Sequence, residues 1–182
     1  MNEIRNDFNP NLKKFFIELK NYLDTELYFY GSVNRADYVH EKSDIDVAIF
    51  SDNEYSTMTK LQHYLHVPRD AFDKIVWKLE GNMIYGYKIK CDKYTDSKCE
   101  IAIYNNDFKE IILNDISKYN SIPFHIGILL FILKTLHYTF PILSSKTYSE
   151  YKRLVFNKIM VDKKDTSFVL LKKIKFKDNP LS

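Results

Sequence analysis

Apolar residues recur along this chain with two different spacings. From Phe8 to Leu23 the period is helical: Leu12, Phe15, Phe16, Leu19 and Leu23 share one stripe, behind an Asn9-Pro10 cap and first turn. Leu27 to Tyr30 then reads as a strand that stops at Gly31, and Val33 to Val39 as a short helix starting at Ser32. Ile45 to Phe50 is the next strand. Ser56 to His66 predicts a helix with Met58, Leu61 and Leu65 inward. Ala71 to Leu79 predicts another, with Phe72, Ile75, Val76 and Leu79 inward. Glu80-Gly81-Asn82 breaks the pattern. A hairpin follows, with arms Tyr87 to Cys91 and Cys99 to Tyr104 and its turn at Thr95 to Lys98. Asp107 and Glu110 resemble a capping box for a helix reaching Lys118. Ile122 to Tyr138 is a strongly apolar helix. Thr147-x-x-Glu150 opens a further one, with Tyr148, Tyr151, Val155 and Ile159 on one side. The tail from Phe168 suits helix or strand equally.

These elements define an α+β chain with a mixed sheet flanked by helices. Strands give way to helices near Asn120, which predicts a core over residues 1–120. A helical C-terminal part over 121–182 would pack on that core.

Composition narrows the class. Of 182 residues, 45% are hydrophobic and 15% aromatic, with only four glycines and five prolines, which is globular rather than disordered or fibrous. The net charge of +3 is too small to argue for a nucleic-acid partner by itself. After Val161, six lysines stand against three aspartates, so the whole excess sits in a basic tail. Its Lys172 to Lys177 segment has two readings, a solvated tail or a track for a polynucleotide backbone. Two cysteines, Cys91 and Cys99, build no disulfide framework, although one bridge across the hairpin is conceivable. The N-terminus has no apolar signal region, and the run Ile126 to Leu133 ends at Lys134, short of the roughly twenty residues a spanning helix needs. A cytoplasmic protein without a membrane partner is expected.

The candidate chemistry lies between the first two strands, in "YFYGSVNRADYVHEKSDIDVAIF". Residues i and i+2 of a strand share a face, so Asp44 and Asp46 aim together while Ile45 and Val47 point to the core. Two carboxylates side by side repel unless a cation lies between them. Mg²⁺ suits such a site, because it takes carboxylate oxygens and keeps positions for water and phosphate. Gly31 allows a sharp turn after the first strand, and Ser32 adds a hydroxyl to the free N–H groups of the following turn. The stretch therefore offers a phosphate cradle and a metal clamp.

Tyr30, Gly31, Ser32, then Asp44, Ile45, Asp46 and Val47 resemble the signature of the DNA polymerase beta-like nucleotidyltransferase superfamily. The similarity is closest to the minimal nucleotidyltransferases, which often carry Gly-Ser-x-Ala-Arg-Gly. Arg35 matches their arginine, while Asn34 and Ala36 depart from their alanine and glycine. The resemblance implies a polymerase beta palm-like fold. It implies a Mg²⁺-dependent enzyme that moves a nucleoside monophosphate from an NTP, ATP first among them, to an acceptor hydroxyl with release of pyrophosphate. The acceptor is left open among polynucleotide, protein and small molecule. It implies two metal ions, with Mn²⁺ as a substitute. Asp44 and Asp46 would hold one; with a third carboxylate on a later strand they would also hold the ion that activates the acceptor. Gly31, Ser32 and Arg35 would bind the nucleotide.

Glu100, in "KCEIAIY", is the choice for that third carboxylate, where the family usually has aspartate; Asp92 is its rival. Arg35 divides between a phosphate contact and a structural ion pair. Lys134 and His137 share a helix face that reads as solvent-facing, and His63 and His66 lack companions for zinc. The alternative function is a non-catalytic protein of the same fold that binds a nucleotide or a partner.

Overall fold

The structure is a computed structural model that describes residues 4–40, 42–92, 97–120, 122–161 and 169–170. A six-stranded mixed sheet forms its centre, in the order β1-β2-β5-β4-β3-β6. The strands are β1 (Tyr28–Tyr30), β2 (Ile45–Ser51), β3 (Asp73–Leu79), β4 (Asn82–Lys90), β5 (Cys99–Asn105) and β6 (Val169–Leu170). Only β2 and β5 run parallel; every other pairing is antiparallel.

Strand alternation gives the sheet two unlike faces. Phe29, Ile45, Val47, Ile49, Ile89, Ile101 and Ile103 point to one side, where they are buried against α1 (Pro10–Leu23) and α2 (Glu54–Leu65). The helices contribute Leu12, Phe16, Leu19 and Leu23, and Met58, Leu61 and Leu65. Both helices are capped at their starts: the Asn9 side chain accepts the Leu12 N–H at 2.8 Å, and Asn53 accepts that of Ser56 at 2.9 Å. Tyr28, Ala48, Phe50, Ala102 and Tyr104 point the other way, onto Ile112 and Ile116 of α3 (Lys109–Asn120). Beyond α3 come α4 (Phe124–Tyr138) and α5 (Ser145–Val161), which pack on each other.

The expected α+β class, mixed sheet and flanking helices are present, with two local corrections. Ala71 to Leu79 is not a helix. A 3₁₀ turn at Arg69–Ala71 leads directly into β3. Phe72, Ile75, Val76 and Leu79 do fall on a helical period, but Ile75-Val76-Trp77 is a β-branched and aromatic run that prefers the pleated surface. The adjoining break is a hairpin turn: Leu79 pairs with Asn82 across Glu80 and Gly81, with φ of 48° and 85°. Two consecutive positive φ values are what a two-residue hairpin of type I′ requires, and Gly81 meets its share without a Cβ penalty.

The expected helix from Val33 to Val39 is the second correction. Only one 3₁₀ turn forms, Gly31–Asn34, and the chain then continues as irregular turns to Asp44. The Thr95 to Lys98 turn lies partly, and the basic tail wholly apart from Val169–Leu170, outside the described residues; those two residues take the strand option. Cys91 and Cys99 are buried thiols with no disulfide between them. Among the described residues, no helix is long and apolar enough to cross a membrane.

Candidate active site

Sheet register assembles the site. Tyr30 pairs with Asp46, Asp46 with Glu100, and Glu100 with Lys90, so four strands place these residues in one row on one face. Asp44 precedes Asp46 by one pleat at the mouth of β2. The acidic members come from distant parts of the chain, and the parallel β2–β5 pairing joins them. Asp92, the rival, is elsewhere: its Oδ1 accepts the Cys99 N–H at 3.1 Å and so serves the hairpin end.

Gly31 is bound to this row by geometry. Its φ is 74°, and a Cβ built there would lie 2.6 Å from Oδ2 of Asp46. The backbone after β1 thus turns against the Asp46 carboxylate with no room for a side chain. Ser32 follows on the same turn, half-buried. A single 3₁₀ turn has little macrodipole, so any phosphate here would rely on the N–H groups and hydroxyl of the turn.

The carboxylates sense one another. The Asp46 pKa is pushed up to about 6, mainly by burial, with the charges of Glu100 and Asp44 adding to the rise. Lys88 is the strongest opposing influence, and Lys152 of α5 a weaker one. Burial also raises Tyr30 well above the usual phenol range, with help from Tyr104, Asp46 and Glu100.

Glu100 is not idle. One of its carboxylate oxygens is ion-paired to Lys88, and the other lies 3.9 Å from Lys90. Among the described residues, no three acidic, histidine or cysteine side chains are gathered closely enough to hold a metal ion as they stand. The donor set itself, three carboxylates on one face beside a glycine cradle, is chemically suited to a hard divalent cation.

Arg35 occupies a different cluster. Its Nε donates to Asp37 Oδ1 at 2.7 Å and its Nη2 to Oδ2 at 3.1 Å. The guanidinium also lies over the Phe156 ring, 5.6 Å from the centroid. Lys134 of α4 reaches the same carboxylate at 3.0 Å, and donates to the Asp37 carbonyl at 2.9 Å and to Ser43 Oγ at 3.2 Å. All three charged side chains are nearly inaccessible, at 6% for Arg35, 1% for Asp37 and 4% for Lys134. Arg35 is therefore committed to an ion pair, and Lys134 is buried rather than solvent-facing. Because Ser43 immediately precedes Asp44, Lys134 ties α4 to the entrance of the acidic strand. His137 also turns inward: its Nδ1 lies 2.8 Å from the Leu143 carbonyl, and its ring stacks on Tyr148 at 4.5 Å.

Two residues acting on the site, Lys88 and Lys152, escaped the sequence reading, and Lys134, read there as solvent-facing, is buried. Lys88 alone had a visible signal, since Lys88 and Lys90 alternate on the hairpin arm facing Glu100.

A sheet carrying this acidic row, with a Gly-Ser turn against it, defines a nucleotidyltransferase-type fold. The chain belongs to the nucleotidyltransferase domain family, whose model matches residues 10–121. It is thereby placed in the enzyme class that its signature implies. No curated protein matches it significantly. Among solved structures it is similar to a cytoplasmic RNA terminal U-transferase, at 16% identity and a TM-score of 0.41, over 74% of this chain and 42% of that one. It is also similar to the Cid1 poly(U) polymerase, at 17% identity and a TM-score of 0.39, over 70% and 40%. A structure of Cid1 with the UTP analog UMPNPP gives 17%, 0.40, 70% and 40%. The chain spans about two fifths of the length of these proteins.

Proposed function

We propose that the protein transfers a nucleoside monophosphate from an NTP to an acceptor hydroxyl, with release of pyrophosphate and dependence on Mg²⁺ or Mn²⁺. The observation that carries this reading is the register pairing of Asp46 with Glu100, one pleat below Asp44 and against Gly31. A bound divalent cation supplies charge neutralisation for the triphosphate and activation of the acceptor hydroxyl. Asp44, Asp46 and Glu100 are the residues that would hold it.

The remaining roles belong to the chain itself. The turn at Gly31 and Ser32 offers backbone N–H groups and one hydroxyl to the β- and γ-phosphates. Lys152 of α5 adds a weaker positive influence on Asp46. Arg35 and Lys134 hold the loop between the Gly-Ser turn and Asp44 in place by sharing Asp37. Asp46 works as a carboxylate, the form that prevails at pH 7 even with its pKa raised to about 6.

One observation favours a second reading, a nucleotide-binding protein without catalysis: Glu100 is paired with Lys88. The test is incubation with each labelled NTP in turn, ATP and UTP included. Mg²⁺ or Mn²⁺ and panels of RNA, DNA, protein and small-molecule acceptors complete the reactions. Label transfer that disappears in Asp44→Asn and Asp46→Asn supports the enzyme. Tight NTP binding with no transfer to any acceptor supports the binder.

A further inference from the structure

Lys88 belongs to no part of the Gly-Ser and Asp-Ile-Asp signature, yet it is the side chain most engaged with the acidic row. It stands on β4 opposite Ala102, diagonal to Glu100. Ala48 and Ala102 occupy the middle of its own row, which leaves space for a long side chain to lie across the sheet. Its ammonium pairs with Glu100, and its charge is the leading attraction on Asp46. Lys90, by contrast, is 65% exposed and 3.9 Å away from the other oxygen.

We infer that Lys88 is a tethered cation that competes with a divalent metal for Glu100 and Asp46, so that the complete three-carboxylate site forms only when Lys88 withdraws. This rests on the metal-clamp reading above. The physical basis is that an ammonium and a divalent ion cannot both neutralise the same two carboxylates at close range without repelling each other. The consequence is a clamp whose metal affinity is held down until a second ligand, such as the triphosphate, adds negative charge.

Mn²⁺ binding to the full chain without nucleotide, followed by the electron spin resonance of the free ion, tests this directly. Lys88→Met should bind Mn²⁺ about tenfold more tightly or better, the scale expected on removing a positive charge at short range. Lys88→Gln carries the same expectation and serves if the methionine variant does not fold. Lys88→Arg and Lys90→Met should behave like wild type, and Glu100→Gln added to Lys88→Met should cancel the gain. In the wild-type chain, Mn²⁺ should raise acetylation of Lys88 several-fold relative to Lys90, read by mass spectrometry. Unchanged Mn²⁺ affinity in the Lys88 variants, with binding still abolished by Asp46→Asn, overturns the inference and leaves the clamp standing. Absence of Mn²⁺ binding from wild type and Lys88 variants alike overturns both.

Discussion

Asp37 and Asp46 flank the same loop, and burial works against the charge of each, yet their carboxyls are displaced in opposite directions. Asp37 has almost no solvent-exposed surface. Desolvation is the largest influence on it and would raise its pKa, but the Arg35 and Lys134 cations together outweigh that and bring it down. Asp46 is raised to about 6, mainly by desolvation, which its acidic neighbours reinforce and Lys88 opposes only in part. Both carboxyls are desolvated, and they differ in their partners: two cations at Asp37, and at Asp46 two carboxylates as well as Lys88 and Lys152. The Asp37 cluster is satisfied from within the chain. The Asp46 row has less compensating positive charge, a pattern that clusters at functional sites.

The largest effect should come from Asp37→Asn. It removes the carboxylate that the buried Arg35 and Lys134 share, and losses of about 3–5 kcal/mol are usual when a buried pair loses one partner. Urea unfolding measures this. Adding Lys134→Met should restore part of the loss, since one stranded charge goes with it. Stability equal to wild type in Asp37→Asn would mean that the two regions do not differ as described.

Asp46→Asn should act in the opposite sense. The native pKa of about 6 exceeds the ordinary 3.8, so below about pH 4 both folded and unfolded chains hold the proton. As pH rises from 4 to 6 the unfolded chain releases it first, and the native state loses up to about 3 kcal/mol, complete above pH 6. In metal-free buffer, Asp46→Asn should therefore be more stable than wild type at pH 7 and show a shallower decline between pH 4 and 6. Asp115, also raised to about 6 by burial, keeps its own share of that decline in both proteins. Parallel stability curves for the two proteins would contradict this.

Gly31→Ala should cost about 1–2 kcal/mol through the positive φ alone, plus the close approach to Asp46 Oδ2. Thermal melts should show the penalty shrinking in Gly31→Ala combined with Asp46→Ala, which removes the obstructing oxygen. Ser32→Ala should have the smallest structural effect. Its melting temperature should match wild type, while NTP binding by calorimetry weakens by about 1–2 kcal/mol, one hydrogen bond to a charged group.

How much of this could be read from sequence depended on the range of the determining interaction. The face of Asp46 was legible because a strand's alternation is local, and that of Glu100 because Ile101 and Ile103 point the other way. Asp37 and Lys134 were not: a buried lysine is recognisable only through a partner 97 residues away. Arg35 had two readings until Asp37 was seen to hold it. The missed strand at Asp73–Leu79 had a helical period by coincidence, and the Glu80-Gly81 turn outweighed it. Lys88 was missed although it alternates with Lys90 on the arm facing Glu100, because its ion pair is a diagonal between two strands whose register the sequence does not give.

The one parallel pairing in the sheet also orders events in time. The β3–β4 hairpin closes over two residues and forms from neighbours in sequence. Asp46 and Glu100 meet only when a long intervening segment has been gathered, and bringing distant strands together is the slow part of folding for such topologies. The acidic row is thus expected to assemble late. During synthesis the chain presents the Asp44 and Asp46 pair well before β5 exists. Nothing that needs Glu100 beside them begins until the sheet has closed.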